Sequence, residues 1–166
     1  MPNLLYTTAA SPIGELLLVG DKESLKQIHF ESHAFTPPPG WQAVNALPYP
    51  VIEQLAAYFA KDLRDFDLPL DPEGTTFQLE VWAALREIPY GETISYLDLA
   101  KAVGNPNAVR AVGLANGKNP LSIIVPCHRV IGSDGKLVGY GGGLPIKDAL
   151  LKLEGALQTN PQLSLF

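Results

Sequence analysis

Cys127 is the only cysteine of the chain, and it lies in the segment IVPCHRVIG (123–131), directly before His128 and Arg129. A thiolate is a strong nucleophile and histidine is the most common base at neutral pH, so Cys127 and His128 could carry out covalent chemistry at sulfur. Adjacent side chains of an extended segment point in opposite directions, so a bridging water could connect the two groups. The alternative is that Cys127 is an inert, buried small hydrophobe.

A histidine base usually has its second ring nitrogen held by an acceptor, and Glu154 is the candidate for that role. Glu154 ends the segment PIKDALLKLEG (145–155), in which the first proline and the last glycine mark the ends of a helix. A solvated helix terminus is the alternative for Glu154. The preceding segment GYGGGLP (139–145) offers bare backbone N–H groups that suit a flat polar ligand.

One cysteine excludes an internal disulfide, and the three histidines do not stand at metal-ligand spacing from it. We therefore predict no metal and no cofactor. No apolar run approaches the ~20 residues that span a bilayer, and the N-terminal segment lacks a basic n-region. These features predict a soluble, cytoplasmic protein.

Charge is distributed unevenly along the 166 residues, whose net charge is −5. Residues 1–74 contain four Lys and Arg against ten Asp and Glu, whereas residues 101–147 contain six against one. The six basic residues are Lys101, Arg110, Lys118, Arg129, Lys136 and Lys147. This local excess is compatible with contact to nucleic acid, and an unevenly charged surface is the alternative.

The first part of the chain has the pattern of a small antiparallel sheet followed by a helix. NLLYTT, ELLLVG and LKQIHF are short apolar segments separated by turn sequences, and YPVIEQLAAYFAKDL has apolar residues at helical spacing. The segment 65–76, rich in Pro and Asp, is predicted to be a linker. We predict a supporting α/β domain over 1–72, a second domain over 73–155 and a tail over 156–166.

The second domain is predicted to be mainly helical. Phe77, Val81, Leu85 and Ile88 form one face of a helix in FQLEVWAALREI. Ser95 and Asp98 resemble a capping box that opens a short helix ended by Gly104, and Asn105 with Pro106 could begin the next one. Two helices joined by so tight a turn are a helix-turn-helix candidate, although helical hairpins are also common in protein cores.

The second helix of this pair begins with small residues and carries a single long cation, Arg110. Small side chains would let the helix approach a groove closely, and Arg110 could then enter the base stack. Packing of the helix against another helix is the alternative. The small residues are Asn107, Ala108, Val109, Ala111 and Gly113.

The chain from Phe77 to Gly155 resembles the C-terminal domain of the O6-alkylguanine-DNA alkyltransferases, also called methylated-DNA–protein-cysteine methyltransferases. The resemblance rests on PCHRV, with an upstream NP and a downstream GYGGG. Residues 1–72 are similar to the family's N-terminal domain, though less distinctively. The resemblance implies a ribonuclease H-like N-terminal α/β domain and a helical, DNA-binding C-terminal domain with a helix-turn-helix.

The resemblance assigns chemical roles to matching residues. Cys127 would accept the alkyl group, His128 would be the base acting through a water, and Glu154 would orient it. Asn119 would brace the active-site loop. Tyr96, supported by Lys147, would donate to the departing base or displace the 3′ phosphate.

It also implies a DNA surface and a base pocket. Arg110 would fill the place of the extruded nucleotide, beside the other predicted DNA contacts Tyr96, Ala108, Val109, Gly113 and Arg129. The carbonyls of Cys127 and Val130 would accept from the guanine amine in a pocket that includes Tyr140. The N–H of Gly141 would face O6, and because several family members carry serine there, activity on O4-alkylthymine stays open.

The expected partner is double-stranded DNA bearing alkylated bases, bound by a monomer. The terminal sequence QLSLF, Gln162 to Phe166, resembles a short peptide that docks on the bacterial sliding clamp; a tail folded onto the core is the alternative. Two other functions compete with repair. One is a helix-turn-helix regulator with a structural cysteine, and the other is a cysteine hydrolase, which adjacent Cys and His disfavour.

Overall fold

A computed structural model gives the fold and describes residues 3–132, 134, 140 and 143–156. The chain divides into two compact units, Met1–Glu73 (unit 1) and Gly74–Phe166 (unit 2), and the predicted boundary lies one residue before this division. Within the described ranges, no helix is long and apolar enough to cross a membrane.

Unit 1 is built on a four-stranded sheet with the order β3-β2-β1-β4. The strands β1 (Leu5–Ala9), β2 (Leu16–Gly20) and β3 (Leu25–Phe30) pair antiparallel in chain order, as the three apolar segments predict. The sequence analysis missed β4 (Gln42–Ala43), which pairs parallel with β1. Two residues are too few for an alternating pattern to be visible.

Helix α1 (Val51–Phe59) completes unit 1 and buries Val51, Leu55 and Tyr58 of its predicted apolar face. The predicted linker that follows is partly a structured piece of this unit. The Leu25 N–H donates to the Pro69 carbonyl (2.8 Å), and the Asp71 N–H donates to the Leu25 carbonyl (2.9 Å). The segment up to Asp71 therefore extends the hydrogen bonding at the start of β3.

Unit 2 contains the predicted helices α2 (Thr76–Arg86), α3 (Tyr96–Ala102), α4 (Val109–Gly117) and α5 (Leu144–Leu153). The predicted capping box opens α3: the Asp98 N–H donates to Ser95 Oγ (3.0 Å), and the Ser95 N–H donates to Asp98 Oδ2 (3.1 Å). The α/β unit followed by a mainly helical unit confirms the predicted fold class.

The start predicted for α4 is wrong, because the helix begins at Val109 rather than at Pro106. The Asn105 N–H donates to the Ala100 carbonyl (3.0 Å) and the Gly104 N–H donates to the Lys101 carbonyl (3.0 Å). With Gly104 at a φ of 81°, these two bonds form a Schellman motif that closes α3. Asn105 therefore belongs to the end of α3, and a separate turn leads to α4.

A short parallel pair connects the helices to the cysteine segment. Strand β5 (Ile94–Ser95) directly precedes α3, and β6 (Val130–Ile131) directly follows a 3-10 turn over Cys127–Arg129. Ile94 pairs with Val130 and Ser95 with Ile131. The first residue of α3, Tyr96, is thereby held near the turn that contains Cys127.

Candidate active site

The loop before Cys127 is fixed by hydrogen bonds at both of its ends. Asn119 Nδ2 donates to the Val125 carbonyl (2.7 Å), and Asn119 Oδ1 accepts from the Leu121 N–H (2.9 Å). Ile123, a buried β-branched residue, has a φ of 79°, a conformation that costs ~1–3 kcal/mol. A strained residue persists only where its surroundings hold it, so this loop is rigidly placed.

A cysteine that takes part in repair would be expected at an exposed position, but Cys127 is buried, with 4% of its surface exposed. Burial raises the pKa of the Cys127 thiol, although hydrogen bonds from Asn119 and Ser122 and the charge of Lys147 act in the opposite direction. The sulfur therefore rests as a neutral thiol and needs a base to become a nucleophile. Its pKa depends on polar neighbours, which an inert core cysteine would lack.

His128 and Glu154 form the predicted pair, and both side chains are buried. Nε2 of His128 lies 2.8 Å from Oε2 of Glu154. Burial lowers the pKa of His128, so the ring is neutral at pH 7. Burial alone would raise the pKa of Glu154, but hydrogen bonds from His128 and Arg129 lower it to about 2.

These two charge states determine the tautomer of His128. An ionised carboxylate only accepts hydrogen bonds, so Nε2 must carry the ring proton and donate it to Glu154. In a neutral imidazole the other nitrogen, Nδ1, then has a free lone pair. Nδ1 is buried and makes no hydrogen bond to a described residue. It is the nitrogen that can accept a proton.

Arg129 does not lie on the surface, and its predicted contact with DNA is wrong. Its Nε donates to Glu154 Oε1 (2.8 Å), its Nη2 to Glu154 Oε2 (3.0 Å) and its Nη1 to the Ile88 carbonyl (2.7 Å). The guanidinium carbon also lies 5.7 Å from the centre of the Tyr90 ring. The positive charge of Arg129 is committed to a buried carboxylate.

Lys147 is fully buried as well, and its Nζ donates to the Val130 carbonyl (2.6 Å). Burial lowers the pKa of Lys147 to about 8, and the nearby Cys127 acts in the opposite direction. The predicted basic surface over 101–147 is therefore smaller than the sequence indicates. Lys101, Arg110 and Lys118 are its exposed described members.

Two tyrosines lie near the sulfur. Burial raises the pKa of Tyr96, and ionisation of the nearby Cys127 would raise it further, while a hydrogen bond from Asn116 lowers it. The pKa of Tyr140 is raised well above its ordinary value, by burial first and then by Cys127. Both phenols therefore stay protonated at neutral pH and can act as donors. The predicted support of Tyr96 by Lys147 stays a prediction.

The outer face of α4 carries the predicted DNA contacts. Arg110 is exposed, as are Val109 and Leu114, of which the latter has 66% of its surface accessible. Gly113 lies against the Tyr96 ring, since a Cβ added there would be 3.7 Å from Cδ1. An apolar, small-residue helix face with one cation thus adjoins the tyrosine at the start of α3.

Several residues of this site were not predicted, and two predictions fall outside the described residues. Sequence reasoning missed Ser122, Tyr90, and Asn116, whose Nδ2 lies 3.4 Å from the Cys127 carbonyl. It also missed the role of Arg129, because the sequence does not indicate that His128 and Arg129 share Glu154 as a partner. Gly141 and the segment 162–166 lie outside the described residues. Among those described, no three His, Cys, Asp or Glu side chains are grouped to hold a metal ion.

Fold and site together define a two-unit protein in which a helix pair of the helix-turn-helix type adjoins a cysteine-centred site. Comparison with known families agrees with this arrangement. The family described as "6-O-methylguanine DNA methyltransferase, ribonuclease-like domain" matches residues 4–72. The one described as "6-O-methylguanine DNA methyltransferase, DNA binding domain" matches residues 76–156.

Individual relatives extend the match over nearly the whole chain. A methylated-DNA–protein-cysteine methyltransferase of Methanosarcina acetivorans is 54% identical over 92% of this chain and 99% of its own length. One of Haemophilus influenzae is 49% identical over 93% of this chain and 88% of its own. The crystal structure of Mycobacterium tuberculosis OGT in complex with DNA has a TM-score of 0.86 at 51% identity, covering 92% of this chain and 93% of that one.

The chain belongs to the 6-O-methylguanine DNA methyltransferase family, and it is an enzyme of the methylated-DNA–protein-cysteine methyltransferase class. The resemblance stated from the PCHRV segment is confirmed.

Proposed function

We propose that the protein repairs DNA by direct reversal, in which the alkyl group of O6-alkylguanine moves to Sγ of Cys127. The observation that carries this proposal is the placement of Cys127 next to a buried His128–Glu154 pair whose free nitrogen can accept a proton. Binding of double-stranded DNA by a monomer is part of the proposal. Binding of DNA is supported by the M. tuberculosis relative, which was crystallised with DNA.

In the proposed reaction, the Cys127 thiol gives its proton to Nδ1 of His128 through a water. The sulfur electron pair forms the new S–C bond while the C–O6 bond breaks, and that bonding pair stays on guanine. Guanine then gains a proton at N1, for which the Tyr96 hydroxyl is the proposed donor. His128 then returns the thiol proton to the Tyr96 phenolate through water, so the proton lost by sulfur balances the proton gained by the base. Because the resting thiol is neutral, it is deprotonated as the substrate arrives.

A buried sulfur cannot reach a base inside a duplex, so the lesion has to be flipped out of the stack. Flipping costs a few kcal/mol, and the cost is smaller for a base that is already poorly paired. Arg110 on the exposed face of α4 is proposed to take the vacated place in the stack, with entry from the minor groove. Since three described members of the basic cluster are exposed, affinity should be modest and salt-sensitive.

The reaction is proposed to stop after one turnover. Its product is a thioether, a bond that water does not readily cleave. The chain contains no second cysteine that could take over the alkyl group. Each molecule would therefore repair one lesion.

Intact-mass measurement after mixing with duplex DNA that contains O6-methylguanine tests this proposal. We expect a gain of one methyl group per molecule at saturation, and none in Cys127→Ala or with undamaged DNA. Ethyl, benzyl and O4-methylthymine lesions would define the range of substrates. A wild-type mass that stays unchanged, in protein that binds the duplex, would reject repair.

That outcome would favour the second candidate, a helix-turn-helix regulator with a structural cysteine. The observation on its side is the burial of Cys127. A regulator should bind one undamaged sequence more tightly than others, whereas the repair protein should prefer the lesion. Competition between damaged and undamaged duplexes at fixed salt separates the two.

The segment Gln162 to Phe166 is proposed to dock on the sliding clamp, with Leu165 and Phe166 in an apolar pocket and Gln162 at its rim. The support is its sequence alone. Purified clamp should retain the full chain but not a truncation that ends at residue 161, nor Leu165→Ala with Phe166→Ala. Equal retention of all forms would reject the proposal.

A further inference from the structure

Arg129 occupies an unusual place for a side chain that follows the nucleophile and the base in sequence. It is 5% exposed, and its contacts are with Glu154, the Ile88 carbonyl and the Tyr90 ring. None of these is a reacting group. The question is therefore what a buried guanidinium contributes next to a histidine that has to accept a proton.

The guanidinium holds the carboxylate of Glu154 in one orientation. Oε1 accepts from Arg129 Nε, and Oε2 accepts from both Arg129 Nη2 and His128 Nε2. The Gly91 N–H adds a long contact to Oε1 at 3.4 Å. A fork of two parallel hydrogen bonds fixes the plane of a carboxylate. Rotation of Glu154 away from His128 would break both bonds to Arg129.

The guanidinium also opposes a positive charge on His128. Glu154 on α5 favours imidazolium, whereas Arg129 beside the ring and Lys147 on α5 disfavour it. Cys127 precedes the ring in the same turn and is neutral at rest. Without Arg129, less of the negative charge of Glu154 would be compensated, and the His128 ring would hold a proton at higher pH.

We propose that Arg129 is a positioning residue for alkyl transfer, which holds Glu154 against His128 and keeps Nδ1 unprotonated until the thiol delivers its proton. This inference rests on the proposed function, because it assigns a part in the same step. Arg129 itself touches neither the sulfur nor, in this reading, the DNA.

Two neutral variants and one charged variant test the proposal. Arg129→Met and Arg129→Gln remove the charge, Arg129→Lys restores it, and Arg86→Gln is a matched control at an exposed arginine of α2. Single-turnover transfer is followed by intact mass across pH. At pH 7, the neutral variants should transfer the methyl group about tenfold more slowly or worse. The pH at which the rate falls to half on the acid side should rise by about 0.5 or more in these variants and return to the wild-type value in Arg129→Lys.

A second readout does not require transfer. Nitrogen-15 NMR of the imidazoles should show wild-type His128 as the neutral Nε2–H tautomer at pH 7, and a titration at higher pH in Arg129→Gln than in wild type. Trp82 fluorescence during denaturation identifies variants in which unit 2 fails to fold. If Arg129→Met does not fold, Arg129→Gln serves as the neutral variant.

The proposal is overturned if His128 titrates alike in wild type and Arg129→Gln. It is likewise overturned if a smaller fraction of the variant molecules takes up methyl while the transfer rate and its pH dependence are unchanged. That result is expected of a residue whose role is purely structural. Failure of wild type to take up methyl would instead reject the proposed function, and the NMR comparison would still decide whether Arg129 controls His128.

Discussion

The two units bury different kinds of side chains. Unit 1 has an apolar core, and its buried polar described residues are Thr7 and Lys26. Unit 2 buries a histidine, an arginine, a lysine, an aspartate and a glutamate, together with an asparagine and a serine. These are His128, Arg129, Lys147, Asp148, Glu154, Asn116 and Ser122.

Under the proposed function, this difference separates a unit that supports the reaction from the unit that carries it out. Burial of a charge costs several kcal/mol unless a partner of opposite charge compensates it, so a core without a chemical task holds few such groups, and Lys26 of unit 1 is paired with Asp71. Unit 2 keeps them because the site needs a neutral imidazole and an ionised carboxylate away from water. Ionisable residues in a core thus indicate where the chemistry lies.

The largest expected effect comes from Glu154→Gln, which removes the one carboxylate shared by His128 and Arg129. An uncompensated guanidinium would remain in the core, and we expect unit 2 to lose roughly 3 kcal/mol of unfolding free energy. The matched change Glu53→Gln, at an exposed position of α1, should alter the unfolding free energy of unit 1 by no more than about 0.5 kcal/mol.

The two tryptophans allow the units to be followed separately, since Trp41 lies in unit 1 and Trp82 in unit 2. Urea denaturation in backgrounds with one of them changed to Phe measures each unit. An equal loss in both units on Glu154→Gln would contradict the comparison.

Acid should also act on the two units unequally. Glu154 has a folded pKa of about 2 against 4.5 for the ordinary side chain, so its contribution is present above pH 4.5 and is lost as pH falls toward 2. The pKa of His128 is lowered by burial, so the unfolded state binds its proton first and stability falls further below 6.5. Both act in the same direction.

We therefore expect the Trp82 transition to lose stability more steeply than the Trp41 transition between about pH 6 and 3. Hydrogen bonds from the backbone of Glu23 and Ser24 also lower the pKa of Asp21 in unit 1, but that group is close to solvent. Glu154→Gln should flatten the acid dependence of Trp82 alone. If the unfolding free energies of the Trp41 and Trp82 transitions fell in parallel with pH, the buried pair of His128 and Glu154 would not dominate the acid dependence.

Arg110→Ala should impair the DNA surface of unit 2 while leaving its core intact. Without the cation proposed to fill the stack, transfer from duplex DNA should slow about tenfold, whereas transfer from free O6-benzylguanine should not change. Lys22→Ala, an exposed cation of unit 1, is the control. Equal slowing with the free base would place Arg110 in folding or chemistry rather than in DNA contact.

The smallest effect is expected at the one buried cation of unit 1. Lys26 is paired with Asp71, whose side chain is 60% exposed, and Lys26 also has Asp21 at 3.9 Å. Asp71→Asn should therefore cost unit 1 no more than about 1 kcal/mol in the Trp41 transition. A loss as large as that of Glu154→Gln would remove the distinction between the two cores.

Local patterns predicted most of the elements. The alternating segments gave β1 to β3, and the Ser95–Asp98 box gave the first residue of α3. The strand β4 and the start of α4 were not predicted correctly, because the first is too short for a period and the second depends on which helix uses Asn105. A residue between two helices can end the first helix or cap the start of the second.

The site was predicted in part, and the errors share one cause. The pair of His128 and Glu154 was expected, but Arg129 was predicted to contact DNA and Lys147 was counted in the basic cluster, and both side chains are buried. A sequence gives the number of charged residues in a segment but does not show which of their side chains point inward. A local excess of cations therefore does not specify a basic surface.

The sequence by itself determined the order of β1 to β3 and of the helices, and the candidate nucleophile with the candidate base beside it, because side-chain period, caps and residue chemistry act over a few positions. Only the tertiary structure decided that α5 brings Glu154 to His128 and Arg129, 26 and 25 residues away along the chain. Only burial then made the carboxylate ionised, the imidazole neutral and the thiol protonated. These states arise from desolvation and from distant partners, and neither is present until the chain has folded.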